Sequence, residues 1–289
     1  MANTFESVHL SITSLKNFQD PELAANVLEK INEYGKDFIP TKYGVYQPLK
    51  KPYNPEDISG VVQMWINEEN NMVSAQNLYA AGQVLMEKTK GHKVSYHMEW
   101  EKSNEAKTSY FNFFIFSMDI AYLKKKKGLE RFICLCNELI ILLEPVQGEI
   151  VNLSFPGWEA PINLRVRHPE LHWMALFGKP YIDMFGKEKL LNTPCHSINS
   201  IGDNVIAIQV IESIFEPIPS DARTTIKKYL GEDAFVEEGK SCRSYTTGRV
   251  PEFDFSEVLF DKTKPISEPK IRTRSSVGNI QDEGTGSLS

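Results

Sequence analysis

Three runs rich in strand-forming residues, Leu78 to Thr89, Lys93 to Trp100 and Ser109 to Leu123, follow one another with only short polar breaks. The first break is Lys90-Gly91-His92 and the second is the polar stretch from Lys102 to Lys107. Runs of this length, bounded by turn-forming residues, predict strands joined as an antiparallel meander. The third run carries Phe111, Phe113, Phe114 and Phe116, which suits a central strand. A chain that commits this much of its middle to consecutive hairpins is not an alternating βαβ protein.

The flanking segments read as helices and further strands. Residues 5–13 alternate well enough to form a strand. Asp20-Pro21-Glu22 opens a helix, with a capping side chain, proline at the first helical position and an acid in the first turn. Leu23, Val27, Leu28 and Ile31 supply its apolar stripe, and Gly35 stops it. Asn54-Pro55-Glu56-Asp57 repeats the start signal for a second helix, with Ile58, Val61, Val62, Trp65 and Ile66 turned inward. Beyond the meander, Lys124 to Lys127 form a solvated approach to a buried helix that contains Cys134 and Cys136. Ile150 to Phe155 is a short strand, and the Pro156–Pro161 turn follows it. The C-terminal part reads as one or two helices beginning near Pro169, a hairpin of 197–201 and 205–211 turned at Gly202-Asp203-Asn204, and a helix from Ser220 to Leu230.

The expected fold class is therefore α+β: an antiparallel meander sheet packed against helices, with a helix–hairpin–helix C-terminal part. Residues 1–155 form an N-terminal α+β part, and 156–261 form a C-terminal α+β part packed with it as one compact unit. From about Lys262 large apolar residues become sparse, so 262–289 is expected to be a disordered tail.

Composition narrows the function. The chain has 289 residues, 41% hydrophobic and 24% charged, with a formal net charge of −6. That balance argues against a protein built to neutralise phosphate backbones, so no direct nucleic-acid partner is expected. The apolar run from Phe132 to Leu143 is about half the length of a membrane span, and no membrane partner is expected. The first residues lack a basic region followed by an apolar core, and the four cysteines read as reduced thiols. Together these lead to an expectation of a cytoplasmic protein.

His168-Pro169-Glu170-Leu171-His172 has two histidines four residues apart, the spacing of a helical metal site. A zincin-type site needs glutamate directly after the first histidine, and here Pro169 stands there, so no metal and no cofactor are expected. Cys195 and His196 are sequence neighbours that point to opposite faces of a strand and do not make a nucleophilic pair by adjacency. Glu252 and Asp254 share a face of an extended segment, with a solvated acidic edge as the simplest reading. No catalytic residue is nominated. Trp158 and Glu159, on the Pro-Gly turn, and Arg243, Tyr245 and Arg249, on a hydroxyl-rich loop, are the expected partner-facing residues, because aromatic and arginine side chains anchor interfaces.

Trp173 to Gly178, Tyr181 to Gly186, Leu190, the 201–210 hairpin and the late Glu216–Asp221 segment resemble the C-terminal half of bacterial immunity proteins of type VI secretion and polymorphic-toxin systems. The resemblance covers residues 165–235 and implies a tryptophan-bearing helix, a glycine stop and a strand reading through a Gly-Asp turn. It implies a non-catalytic protein that occludes the active site of a cognate toxin, and an acidic chain suits a basic toxin. Homo-oligomers are compatible with it. Two other readings remain: an enzyme with a site near His172, Cys195 and Arg243, and a structural protein of a mobile element.

Overall fold

The computed structural model describes residues 6–73, 78–104, 111–155, 164, 168, 170–236 and 250–263. Among them one antiparallel sheet runs through the molecule. Its strands are β1 (Ser7–Ser14), β2 (Lys42–Gly44), β3 (Lys51–Pro52), β4 (Asn70–Val73), β5 (Leu78–Lys88), β6 (Val94–Ser103), β7 (Asn112–Asp119), β8 (Pro145–Asn152), β9 (Met174–Phe177), β10 (Ser197–Ile201) and β11 (Val205–Gln209). The spatial order is β10-β11-β9-β8-β1-β7-β6-β5-β2-β3, and β4 pairs with β5. The fold is α+β, with the meander β5–β6–β7 as expected.

β1 lies between β7 and β8, with Leu10 opposite Phe116 on one side and Ile150 on the other. Its even-numbered residues Val8, Leu10 and Ile12 are fully buried. They meet Phe114, Phe116 and Met118 of β7, and Tyr96, Met98 and Trp100 of β6, on one face of the sheet. Helices α1 (Pro21–Glu33), α2 (Ser59–Ile66) and α4 (Gly128–Leu143) pack on that face. The short helix α3 (Ile120–Leu123) links β7 to α4.

The local signals explain these helices. The Asp20 carboxylate accepts the Glu22 N–H, Pro21 occupies the first turn, and Gly35 takes φ +82° after the last turn of α1. α2 begins at Ser59, later than its Asn-Pro-Glu-Asp signal; the preceding residues form a turn in which the Asp57 carboxylate accepts the Ser59 N–H. Trp65 is buried, with its indole N–H donating to the Phe18 carbonyl. In α4, Phe132, Leu135, Cys136, Leu139, Ile140 and Leu143 face the sheet, whereas Cys134 is exposed, since residues two apart diverge around a helix. Lys124 to Lys127 are exposed.

β9 and β11 are covered on both faces. Met174 and Leu176 of β9, and Val205 and Ala207 of β11, join the core under α4. Ala175, Phe177, Ile206 and Ile208 point the other way, into a second core built by α5 (Lys179–Phe185), α6 (Lys187–Leu191) and α7 (Ser220–Leu230). Here the structure corrects one expectation. Residues 170–173 are not helical and Met174–Phe177 is a strand, so Trp173 stands at the entry of β9 and not on a helix. Burial on both faces makes this strand an unbroken apolar run, which periodicity alone does not separate from a buried helix.

The two cores meet where β8 turns against α5. A Cβ on Gly178 would collide with the Pro145 carbonyl and lie 2.7 Å from the Val146 Cα. The Gly178 N–H also donates to the Val146 carbonyl at 3.1 Å. We expect Gly178→Ala to destabilise the whole fold by about 1–3 kcal/mol, as overpacking does, measured by urea unfolding monitored at tryptophan fluorescence.

Candidate partner-binding surface

The strands of the meander alternate cleanly. In β6, Val94, Tyr96, Met98 and Trp100 enter the core, and Ser95, His97, Glu99 and Glu101 take the opposite face. Among the described residues no α-helix packs on that opposite face of β5, β6 and β7, although Thr13 and Ser117 on it are buried and the Ser256–Val258 turn touches β6. Register places side chains across it in rows. Val151, His9, Ser117, Ser95 and Glu87 form one row, and Glu149, Ser11, Ile115, His97 and Leu85 form the next. A third row runs Gln147, Thr13, Phe113, Glu99 and Gln83. Phe113 is 38% exposed, and the side chains of His97 and Glu99 are 36% and 44% exposed. The α5–α7 layer stands at the β9 side of this face. At one end of the strands, Phe253, Phe255 and Val258 pack against Leu15 and Phe111.

The same face holds buried imidazoles. His9 Nε2 lies 2.7 Å from the Ser7 hydroxyl, and burial pushes its pKa down to about 4. His172 precedes β9, with Nε2 3.5 Å from a Glu149 carboxylate oxygen. Burial, then the nearby Arg223 guanidinium, lower its pKa to about 4, against an opposing pull from Glu170. The imidazole is therefore neutral at pH 7, and its approach to Glu149 is not an ion pair between two full charges. Around it, Lys227 pairs with Glu170 at 2.7 Å and Arg223 donates to the Leu171 carbonyl at 2.9 Å, which ties α7 to the segment entering β9.

The two histidines of the metal-like spacing do different things. His168 is fully buried, stacked on Phe177 at 4.8 Å and meeting Tyr181 and Phe235 edgewise, while its backbone bridges Phe235. Among the described residues no group of three or more His, Cys, Asp or Glu side chains could hold a metal ion. Cys195 donates to the Ser197 carbonyl at 3.4 Å, and burial raises its pKa, opposite to what a nucleophilic thiol needs. Cys195 precedes β10, whereas His172 precedes β9, and β11 lies between those two strands. The proposed partner-facing residues Trp158, Glu159, Arg243, Tyr245 and Arg249 lie outside the described residues, as do residues 264–289.

A cleft of about 540 Å³ opens between α5 and residues 252–257. Its charges are largely spoken for: Lys16 pairs with Glu144 at 2.6 Å and Lys179 with Asp183 at 2.8 Å. The Asp254 carboxylate accepts the Ser256 N–H, and Glu257 accepts the Asn17 N–H, so these acids fix turns.

The depressed histidines set an acid limit. A base whose folded pKa lies below its unfolded value of 6.5 binds fewer protons when folded, so its contribution is present above pH 6.5 and is lost as pH falls towards 4. For each of His9 and His172 this amounts to about 2 kcal/mol between pH 7 and pH 5. Urea midpoints should fall over that interval, and His172→Gln should flatten the slope; an unchanged slope in that variant would contradict the assignment.

No protein-family model matches the chain, and no curated protein matches its sequence. Among solved structures, the fold is similar to that of the Pseudomonas aeruginosa T6SS protein PA0821, with a TM-score of 0.55 at 13% identity, covering 88% of this chain and 81% of that one. At that identity the likeness is one of fold.

Proposed function

We propose that this chain is a non-catalytic binding protein associated with type VI secretion, an immunity protein that neutralises a cognate toxin by occluding the toxin's active site. The observation that carries the reading is the likeness of almost the whole fold to a T6SS protein. It agrees with the immunity-protein resemblance of residues 165–235. The geometry supports binding over catalysis: the Cys195 thiol is held protonated, and the His172 imidazole is locked among Glu149, Arg223 and Glu170. Among the described residues, the outward rows of β5 to β7 alternate carboxylate, imidazole and apolar groups, a composition suited to contact with another protein. Among the described residues no helix is long and apolar enough to cross a membrane. A cytoplasmic site of action, against a toxin working inside the cell, is part of the proposal.

The test is co-expression. Toxin genes next to the gene for this chain are induced singly, with and without it. One toxin should arrest growth alone, be tolerated when the chain is present, and co-purify with it in a stoichiometric complex. Absence of rescue against every neighbouring toxin would end the reading.

A further inference from the structure

We infer that the outer edge of β10 is an interface between two copies of this chain, which pair there antiparallel about a twofold axis through Asn199. The inference is independent of the toxin-binding role proposed above. The two ends of the sheet order are β10 and β3, and they are finished differently. β3 has two residues, Lys51 and Pro52, both exposed, with exposed Lys50 beside them. A short strand carrying lysine and proline is a protected edge, which resists extension by another chain. β10 has five residues, Ser197 to Ile201, with no charge, no proline and an unbroken register against β11. Among the described residues no strand pairs with its outer side, and Asn199 and Ser200 are exposed. Alternate N–H and C=O groups along an edge strand point away from its one neighbour, so β10 presents them to a further strand.

The composition of the strand decides the occupant. An edge without charge has nothing by which to select a foreign strand, and it meets no repulsion from its own copy. An antiparallel twofold also makes the contact self-complementary. With the axis at Asn199, Ile201 of each copy stands opposite Ser197 of the other. The exposed Gly202-Asp203-Asn204 turn then lies beside His196 of the second copy, an exposed imidazole whose ring N–H can donate to the Asp203 carboxylate. Ile201 faces the core under α4, and Ser197 and Asn199 share that face. A twofold perpendicular to the sheet keeps α4 of both copies on this side. There Ile141, 50% exposed, sits over the end of β10, with its Cγ1 3.7 Å from where a Gly202 Cβ would stand. It lines a hollow of about 200 Å³ with Ile201 and Val205. In the pair, each Ile141 covers the Ser197 end of the other copy's strand. A five-residue ladder alone falls short of the roughly 1,200 Å² that stable complexes bury, so the dimer is weak and depends on this apolar contact.

Because Asn199 faces itself across the axis, single substitutions test the pairing. The mass of the full chain is followed by sedimentation equilibrium over a wide concentration range. The wild type should move from one chain mass to two as concentration rises. Asn199→Lys and Asn199→Asp, which each set like charges together, should stay at one chain mass over the same range with their unfolding midpoints retained. An equimolar mixture of the two should recover the doubled mass, since lysine then meets aspartate across the strands. Ile141→Ser should weaken the wild-type dimer roughly tenfold. Hydrogen exchange gives a reading that needs no variant: amides within 197–201 should slow as concentration rises. A wild type that keeps one chain mass throughout overturns the inference. So do variants that dimerise as the wild type does, or a mixture that stays at one chain mass. Loss of toxin binding in Asn199→Lys, with a wild type that is monomeric, gives the edge to the toxin and overturns it as well.

Discussion

Pairing of β1 along both of its edges joins what would otherwise be two separate sheets. Its partners are far away in sequence, β7 on one side and β8 on the other. Without it, the β5–β7 meander and the β8–β11 group would each present an unpaired edge. The strand is held in place by Val8, Leu10 and Ile12, all fully buried, and by the Ser14 hydroxyl, which donates to the Leu143 carbonyl at 2.6 Å. That bond satisfies a carbonyl at the end of α4, so the helix layer and the sheet are registered by the same residue.

The helices then divide the sheet unequally. α1, α2 and α4 cover one face, and α5 to α7 cover the other face only at the β9–β11 end. This asymmetry has two consequences. Where both faces are covered, strands are apolar throughout, as in Met174–Phe177. In β5 to β7, where no described α-helix covers the second face, the strands alternate between core and partly exposed positions. The buried, neutral histidines His9 and His172 lie where that second face runs into the second core.

Much of this was legible in the residues. The Asp-Pro-Glu start of α1, the hairpin at Gly202-Asp203-Asn204 and the meander all have local causes, and the structure repeats them. The alternation in Val94 to Glu101 is also readable as a strand with two unlike faces, whereas the surroundings of His168 and His172 are not. Those two residues illustrate the limit. Four positions apart they look equivalent, yet one is stacked between aromatic rings from β9, α5 and the turn after α7, and the other lies beside a carboxylate from β8. No local pattern contains those neighbours.

What the sequence by itself determined is therefore the class and most of the elements, because caps, turns and periodicity act over a few residues. What only the tertiary structure decided is which strands are neighbours and which of their faces the described helices cover. The order β9-β8-β1-β7 depends on pairings between segments separated by tens to more than a hundred residues, settled by which apolar faces can be buried together. The same settlement turned Met174 to Phe177 from a candidate helix into a strand, since an apolar run takes the form that its covering layers allow.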